Sequence, residues 1–190
     1  MNKILFQEEG HIYTTPEGRA VPSVSEILQH FGISDFSHVD GRVLEAAQKF
    51  GTVVHQTCHL YDINDLAECD PKVQPYLDQW IKFCGDLEAF DVIELPLYSD
   101  IWGFAGTPDR LLYEKVIDIK TGTETASHKI QTAMYQILIE ENIGIKIKER
   151  MTVYLKPDSY KVVTYKNRFD LTVAKSLITA YNFKKREGLF

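Results

Sequence analysis

The feature that most constrains this chain is the segment "AGTPDRLLYEKVIDIKTG", residues 105–122, which places charged side chains in an apparent buried β-hairpin. Within it, "VIDIK" surrounds Asp118 and Lys120 with β-branched apolar residues, a pattern typical of an internal strand. A charge in such a strand is costly unless it is paired or binds a metal. The segment therefore predicts a polar site built on two adjacent strands.

A turn at residues 114–115 predicts how the two strands pair. In that register Asp109 faces Lys120, and Leu111 faces Asp118. Because side chains alternate along a strand, the two aspartates and the lysine then project from one face of the hairpin. Glu-Lys is not a favoured hairpin turn, and a three-residue loop would change this register.

The residue types on that face suit metal-assisted chemistry. Two carboxylates, with the carbonyl oxygen of Ile119, could bind Mg²⁺ or Mn²⁺, which prefer oxygen ligands. Such a metal polarises a phosphate and lowers the pKa of bound water. Lys120 could position or deprotonate that water, or contact the phosphate. The simpler alternative is an exposed ion pair between Lys120 and one aspartate, which is common and weak.

Apolar spacing predicts the remaining elements. Residues 42–60 and the segment after Pro75 read as amphipathic helices, and Ser23 with Glu26 matches a capping box. Three strands follow, "DVIELPLYS", "GFAGTPDRLLY" and "KVIDIKT", and then the helix "SHKIQTAMYQILIEEN". "RMTVYLKP" and "YKVVTYKN" predict a hairpin, and Asp170 is expected to cap a last helix.

This order predicts an α/β fold with a mixed central β-sheet flanked by helices. "KILF" and "HIYT" add an N-terminal hairpin, and the segment after Asp170 adds a C-terminal helix. No repeat or linker interrupts the chain, so we expect a single domain over residues 1–190.

Charge and composition argue against several classes of protein. A net charge of -6 argues against coating nucleic acid by bulk electrostatics, but not against a local cleft. No apolar run suits a signal peptide or a membrane span. The cysteines, Cys58, Cys69 and Cys84, do not form a disulfide pattern, so we expect an intracellular, cytoplasmic protein.

The motifs in their order resemble the PD-(D/E)XK nuclease superfamily, and specifically its RecB-like exonuclease branch. "GTPD" followed by "IDIKTG" carries the central part of that resemblance. Upstream, "FGTVVH" is similar to the Gly-x-x-x-His motif of the branch, and Glu94 stands on the predicted first core strand. Downstream, "QTAMY" is similar to its Gln-x-x-x-Tyr motif. The resemblance covers roughly residues 42–156.

The resemblance implies a restriction-endonuclease-like core and a metal-dependent deoxyribonuclease, as an exonuclease acting on DNA ends or single strands. The opening segment is similar to small phage and mitochondrial exonucleases of this branch, which suggests a phage or mobile-element recombination or repair role. Lys120 would be the catalytic lysine, and Gln131 and Tyr135 would orient substrate or Lys120. The implied ligands of Mg²⁺ or Mn²⁺ are His55, Asp109 and Asp118, with Glu94 and the Ile119 carbonyl. Three cysteines do not match the four of relatives that hold an iron–sulfur cluster, so none is expected.

Two other functions are compatible with these motifs. The chain could be a non-catalytic nucleic-acid-binding domain that keeps the nuclease fold, or a structure-specific endonuclease. His55 and His59 are also spaced as a helical zinc pair, but the glutamate of a metalloprotease motif is missing, so His59 is expected to be structural. The basic residues that could follow a nucleic-acid strand, or be ordinary surface, are Lys129, Lys146, Lys148 and Arg150.

Overall fold

The computed structural model describes residues 4–7, 10–87 and 89–190. The helices are α1 (Val24–His30), α2 (Gly41–Asp62), α3 (Gln74–Cys84), α4 (Ala126–Asn142) and α5 (Phe169–Glu187). The strands are β1 (Leu5–Gln7), β2 (Ile12–Thr14), β3 (Ala20–Val21), β4 (Val92–Ile93), β5 (Leu97–Ser99), β6 (Phe104–Gly106), β7 (Arg110–Leu112), β8 (Lys115–Lys120), β9 (Glu149–Leu155) and β10 (Tyr160–Tyr165).

A five-stranded mixed sheet forms the centre, in the order β10-β9-β8-β7-β4. Strands β8 and β9 are parallel and are joined through α4, whereas the other neighbours are antiparallel. The predicted mixed α/β fold with flanking helices is confirmed. The N-terminal hairpin is also confirmed, and β3 extends it to a three-stranded sheet. The C-terminal helix is α5.

Alternation along β8 assigns a different role to each face of the sheet. Ile117 and Ile119 pack in the apolar cluster that α2 and α3 cover. Val116 packs in the second cluster, which α1, α4 and α5 cover. Asp118 and Lys120 share the face of Val116, because residues two apart in a strand point the same way. The charged pair therefore lies on the α4 side, at the carboxyl end of β8.

Two of the three predicted central strands are each divided in two. "DVIELPLYS" forms β4 and β5, with Pro96 between them and Glu94 at a φ of 46°. "GFAGTPDRLLY" forms β6 and β7, separated at Pro108. Proline cannot donate a hydrogen bond to a neighbouring strand, so pairing breaks at both positions. Glu94 consequently follows the first core strand rather than lying on it.

The hairpin register differs from the predicted one by two residues. Arg110 pairs with Ile117 and Leu112 with Lys115, so the turn is at residues 113–114. Tyr113 has a φ of 53°, in the left-handed region that tight hairpin turns require. A shift of two residues leaves every side chain on its original face, since the side-chain period is two.

The last helix begins before the predicted cap. Its N-cap position is Arg168, whose own side chain makes no capping hydrogen bond, and Asn167 Oδ1 accepts one of 2.9 Å from the Phe169 N–H. Asp170 lies inside the first turn, and its carboxylate accepts a hydrogen bond of 2.9 Å from the Arg150 guanidinium. Both side chains are buried, so Arg150 is not one of the surface residues that could contact a nucleic-acid strand.

No helix in the described part of the chain is long and apolar enough to cross a membrane.

Candidate functional site

Asp109 and the carboxyl end of β8 meet where β7 begins. The Ile119 N–H donates a hydrogen bond of 2.7 Å to Asp109 Oδ2. In an extended strand the N–H and C=O of one residue face the same neighbour, so the Ile119 carbonyl also faces the Asp109 side. The β7 strand starts only at Arg110, so the end of β8 has no strand partner on its β7 edge, while β9 pairs with it on the other edge.

Asp118 and Lys120 form a buried ion pair beside Asp109. Lys120 Nζ lies 2.7 Å from Asp118 Oδ1, and the Asp118 side chain is fully buried while that of Lys120 is 22% exposed. Burial lowers the pKa of Lys120, but the nearby Asp118 and Asp109 carboxylates outweigh it and hold that pKa above its ordinary value. Lys120 is therefore an ammonium at neutral pH and can donate hydrogen bonds to an anion.

The burial of Asp118 predicts a pH-dependent stability. Burial raises its pKa to about 6 from 3.8, against the opposing effect of Lys120. The folded protein then keeps a proton that the unfolded chain loses, so this contribution is complete below pH 3.8 and is lost as the pH rises through about 6.

Urea unfolding of metal-free wild type and Asp118→Asn measures this contribution. As the pH rises from 4 to 7, the unfolding free energy of the variant should increase relative to that of wild type. Asp78→Asn, at an exposed position of α3, is the matched control and should show no such change. A difference between Asp118→Asn and wild type that stays constant with pH would contradict the raised pKa.

Helix α2 contacts this region along one face. His55 Nδ1 lies 3.6 Å from Asp109 Oδ2, which brings the imidazole to the first aspartate. One turn later, His59 Nδ1 lies 3.1 Å from Glu94 Oε2, at an angle that makes no hydrogen bond. At the end of the helix, Asp62 Oδ2 accepts a hydrogen bond of 2.7 Å from Arg110.

Arg110 connects helix α2 to Glu94 and to the backbone of Asp109. Its side chain is fully buried, and it donates to Asp62, to Glu94 and to the main-chain carbonyl of Asp109. The guanidinium also lies 5.7 Å from the Trp80 ring centre. Its Nη2 has no hydrogen-bond partner within residues 4–7, 10–87 and 89–190. Arg110 thus fixes the backbone of Asp109 relative to α2.

Removing Arg110 should destabilise the protein strongly. Arg110→Met leaves the buried Asp62 carboxylate without its counter-charge, and we expect a loss of about 3 to 5 kcal/mol in urea unfolding. The double variant Arg110→Met/Asp62→Asn should recover part of this loss, because the buried negative charge is gone while the amide oxygen still accepts from Trp80. A loss below about 1 kcal/mol for Arg110→Met would show that the buried pair contributes little.

Gln131 and Tyr135 face the two aspartates from α4. Gln131 Nε2 donates a hydrogen bond of 2.9 Å to Tyr135 Oη, which leaves the phenol proton free for another acceptor. Burial raises the pKa of Tyr135 well above its ordinary value, and the charges of Asp109 and Asp118 add to that effect. Tyr135 is therefore a hydrogen-bond donor at neutral pH.

Three neutral residues at the site were not predicted from the sequence. Tyr13, on β2, bonds Thr107 at 2.8 Å, and burial together with the Asp109 charge raises its pKa to about 12. Thr152, on β9, donates to Asp118 Oδ2 at 3.4 Å. Thr152 is the parallel partner of Asp118. Its position could have been suspected from the sequence, because it is a polar residue between the apolar residues of the predicted strand "RMTVYL". Tyr13 carries no comparable local signal.

The donor chemistry fits a hard divalent cation, but the side chains do not form a complete cage. Two carboxylates, an imidazole and a main-chain carbonyl lie on adjoining elements, and the Asp109 charge adds to burial in raising the pKa of Asp118. Within the described residues, no three side chains of His, Cys, Asp or Glu form a group that could hold a metal ion. Lys120 instead neutralises Asp118. Glu94 is engaged by Arg110 and lies beside His59.

Comparison with known proteins shows the fold. No protein-family model matches the chain, and no curated protein matches it. A crystal structure described as "Putative exonuclease" from Eubacterium rectale is similar at 11% identity and a TM-score of 0.58, covering 88% of this chain and 82% of that one. The crystal structure of SSO0001 covers 81% of this chain and 80% of its own at 16% identity, with a TM-score of only 0.38. The first similarity shows that the chain shares its mixed α/β architecture with that protein.

Proposed function

We propose that this protein is a metal-dependent nuclease that hydrolyses DNA phosphodiester bonds. The observation that carries the proposal is the convergence at the end of β8. There Asp109, Asp118 and Lys120 lie beside the His55 imidazole. Surface salt bridges are exposed and weak, whereas the Asp118–Lys120 pair is buried in the sheet. The order of motifs resembles the RecB-like branch of PD-(D/E)XK nucleases and supports the same function.

The proposed ligands of a Mg²⁺ or Mn²⁺ ion are His55, Asp109, Asp118 and the Ile119 carbonyl, with Glu94 as a more distant member. When bound, the ion supplies Lewis acidity toward the phosphate and lowers the pKa of water. Asp118 is paired with Lys120, which would balance part of the negative charge of the ligand set and would lie beside a bound substrate.

The remaining side chains act on substrate. Lys120 is charged, so it is suited to contact a phosphate oxygen rather than to remove a proton from water. Tyr135 keeps its proton and can donate a hydrogen bond to an aspartate or to the substrate, while Gln131 fixes the orientation of the phenol. Burial of the aspartates strengthens each of these electrostatic contacts.

Within this proposal, the preferred version is an exonuclease acting on DNA ends or single strands, in phage or mobile-element recombination or repair. The similarity of the opening segment to small phage and mitochondrial exonucleases supports it, as does the description of the Eubacterium rectale protein. Lys129 is exposed near the start of α4 and remains a candidate contact for the strand. Lys146 and Lys148 are exposed but paired with glutamates, which makes them weaker candidates.

Incubation with end-labelled DNA tests the proposal. Linear single-stranded, linear duplex and circular DNA are each incubated with Mg²⁺, with Mn²⁺ and with EDTA. We expect cleavage of linear DNA with either metal and none with EDTA. Cleavage of circular DNA would show that the protein is an endonuclease rather than an exonuclease. Binding without cleavage under every condition would favour a non-catalytic DNA-binding domain.

A further inference from the structure

A chain of hydrogen bonds leads away from the buried Asp118 to a histidine that the motifs do not include. Its four links are Asp118 Oδ2 to Thr152 Oγ1 at 3.4 Å, Thr152 Oγ1 to Tyr165 Oη at 3.3 Å, Tyr165 Oη to Tyr154 Oη at 3.2 Å, and Tyr154 Oη to His128 Nδ1 at 2.6 Å. His128 stands in the first turn of α4. Tyr154 is the parallel partner of Lys120, so the chain ends on the lysine side of the site.

Counting the protons fixes which group donates and which accepts in each of these hydrogen bonds. An ionised carboxylate only accepts hydrogen bonds, so Thr152 must donate to Asp118. Each hydroxyl carries one proton, so Tyr165 donates to Thr152, and the link between the two phenols requires Tyr154 to donate to Tyr165. The remaining link is complete only if His128 donates from Nδ1. The opposite arrangement would leave two phenol oxygens facing each other without a proton between them.

Donation from Nδ1 determines whether the other imidazole nitrogen, Nε2, carries a proton. A neutral histidine carries one N–H, so protonation at Nδ1 leaves Nε2 as an acceptor. Burial, and secondarily the Lys120 charge, lower the pKa of His128 to about 4, which keeps the ring neutral at pH 7. Nε2 has no hydrogen-bond partner in the described part of the chain, and it is not among the unpartnered atoms that are buried there. It is therefore open to solvent.

We propose that His128 is a hydrogen-bond acceptor of this site, held as the Nδ1–H tautomer by the chain to Asp118, with Nε2 orienting a water molecule beside Lys120. The tautomer is a property of the metal-free protein. The contribution of the bound water to cleavage rests on the proposed nuclease function.

The tautomer is measured by long-range ¹H–¹⁵N correlation of the histidine rings in metal-free protein at pH 7.5. His128→Gln identifies the His128 signals by their loss. We expect Nδ1 to carry the proton in wild type. Tyr165→Phe and Thr152→Val interrupt the chain and should shift the population toward Nε2–H, because Tyr154 can then donate to Nδ1. Thr152→Ser keeps the hydroxyl and should leave the tautomer unchanged.

Two results would overturn the tautomer: an Nε2–H form in wild type, or an unchanged ratio in both chain-breaking variants. Neither depends on nuclease activity, so failure of the proposed function leaves this test intact. Circular dichroism confirms that each variant is folded before its tautomer is compared with wild type.

The role of Nε2 is tested by kinetics with linear DNA and saturating Mn²⁺. His128→Phe removes the acceptor and should lower kcat about 100-fold at unchanged KM. His128→Gln places an amide oxygen near the Nε2 position and should retain at least about a tenth of wild-type kcat. Equal losses in the two variants, or no loss in either, would reject the acceptor role.

Discussion

Lys120→Ala is expected to lower the kcat of DNA cleavage by at least about 10² to 10³-fold while the protein stays folded. Lys120 is paired with Asp118, the charge of Asp109 also acts on it, and its side chain is partly exposed, so it is placed to contact a phosphate. Losing one such preorganised group costs about 10² to 10³-fold in kcat. Steady-state assays on linear DNA measure the loss, and circular dichroism with urea unfolding checks the fold. The Asp118 carboxyl can take up a proton when its partner is lost, which limits the cost to stability.

Lys82→Ala is the matched control, because Lys82 is exposed on α3 and has no place in the site. It should cleave DNA like wild type. Lys120→Gln preserves most of the side-chain length without the charge, and it should be as inactive as the alanine variant. Activity retained in either Lys120 variant would reject a catalytic role for this lysine.

Asp118→Asn is expected to weaken binding of Mn²⁺ and to abolish cleavage. The amide keeps the shape of the side chain but removes the negative charge, and a hard cation binds a carboxylate more strongly than a neutral amide. The loss of one ligand charge should raise the Kd by about 10 to 100-fold. Isothermal titration calorimetry with metal-free protein measures this change.

Asp78→Asn serves as the control in the same titration, since Asp78 is exposed and bonds Gln74 on its own helix. Its Mn²⁺ affinity should equal that of wild type. If the affinity of Asp118→Asn also equals that of wild type, Asp118 is not a ligand and the proposed metal site is wrong.

The sequence predicted which side chains of the hairpin share a face, although it predicted the wrong register. Asp109, Asp118 and Lys120 meet because strand side chains have a period of two, and the register error was two residues. The capping box of Ser23 and Glu26 was predicted correctly as well, since it depends on residues three apart in the chain. Local patterns of this kind do not need knowledge of distant contacts.

Contacts between distant segments could not be predicted in this way. Arg110 and Arg150 read as ordinary basic residues, yet each is buried against an aspartate far away in sequence. Thr152 reaches Asp118 only because β8 and β9 pair in parallel across α4, and no local pattern specifies that register. The contact of Tyr13 with Thr107 could not be predicted for the same reason, because it depends on how the N-terminal sheet packs against a distant segment.

The proposed nuclease depends on one divalent cation that binds between His55, Asp109 and Asp118. An anomalous difference map at the manganese absorption edge, from a crystal soaked in Mn²⁺, locates such a cation. We expect a peak within ligand distance, about 2 to 2.5 Å, of oxygen atoms from both aspartates and of an imidazole nitrogen of His55. A map with no peak at the end of β8, from a crystal whose lattice leaves that region open, would show that the proposed metal site is wrong.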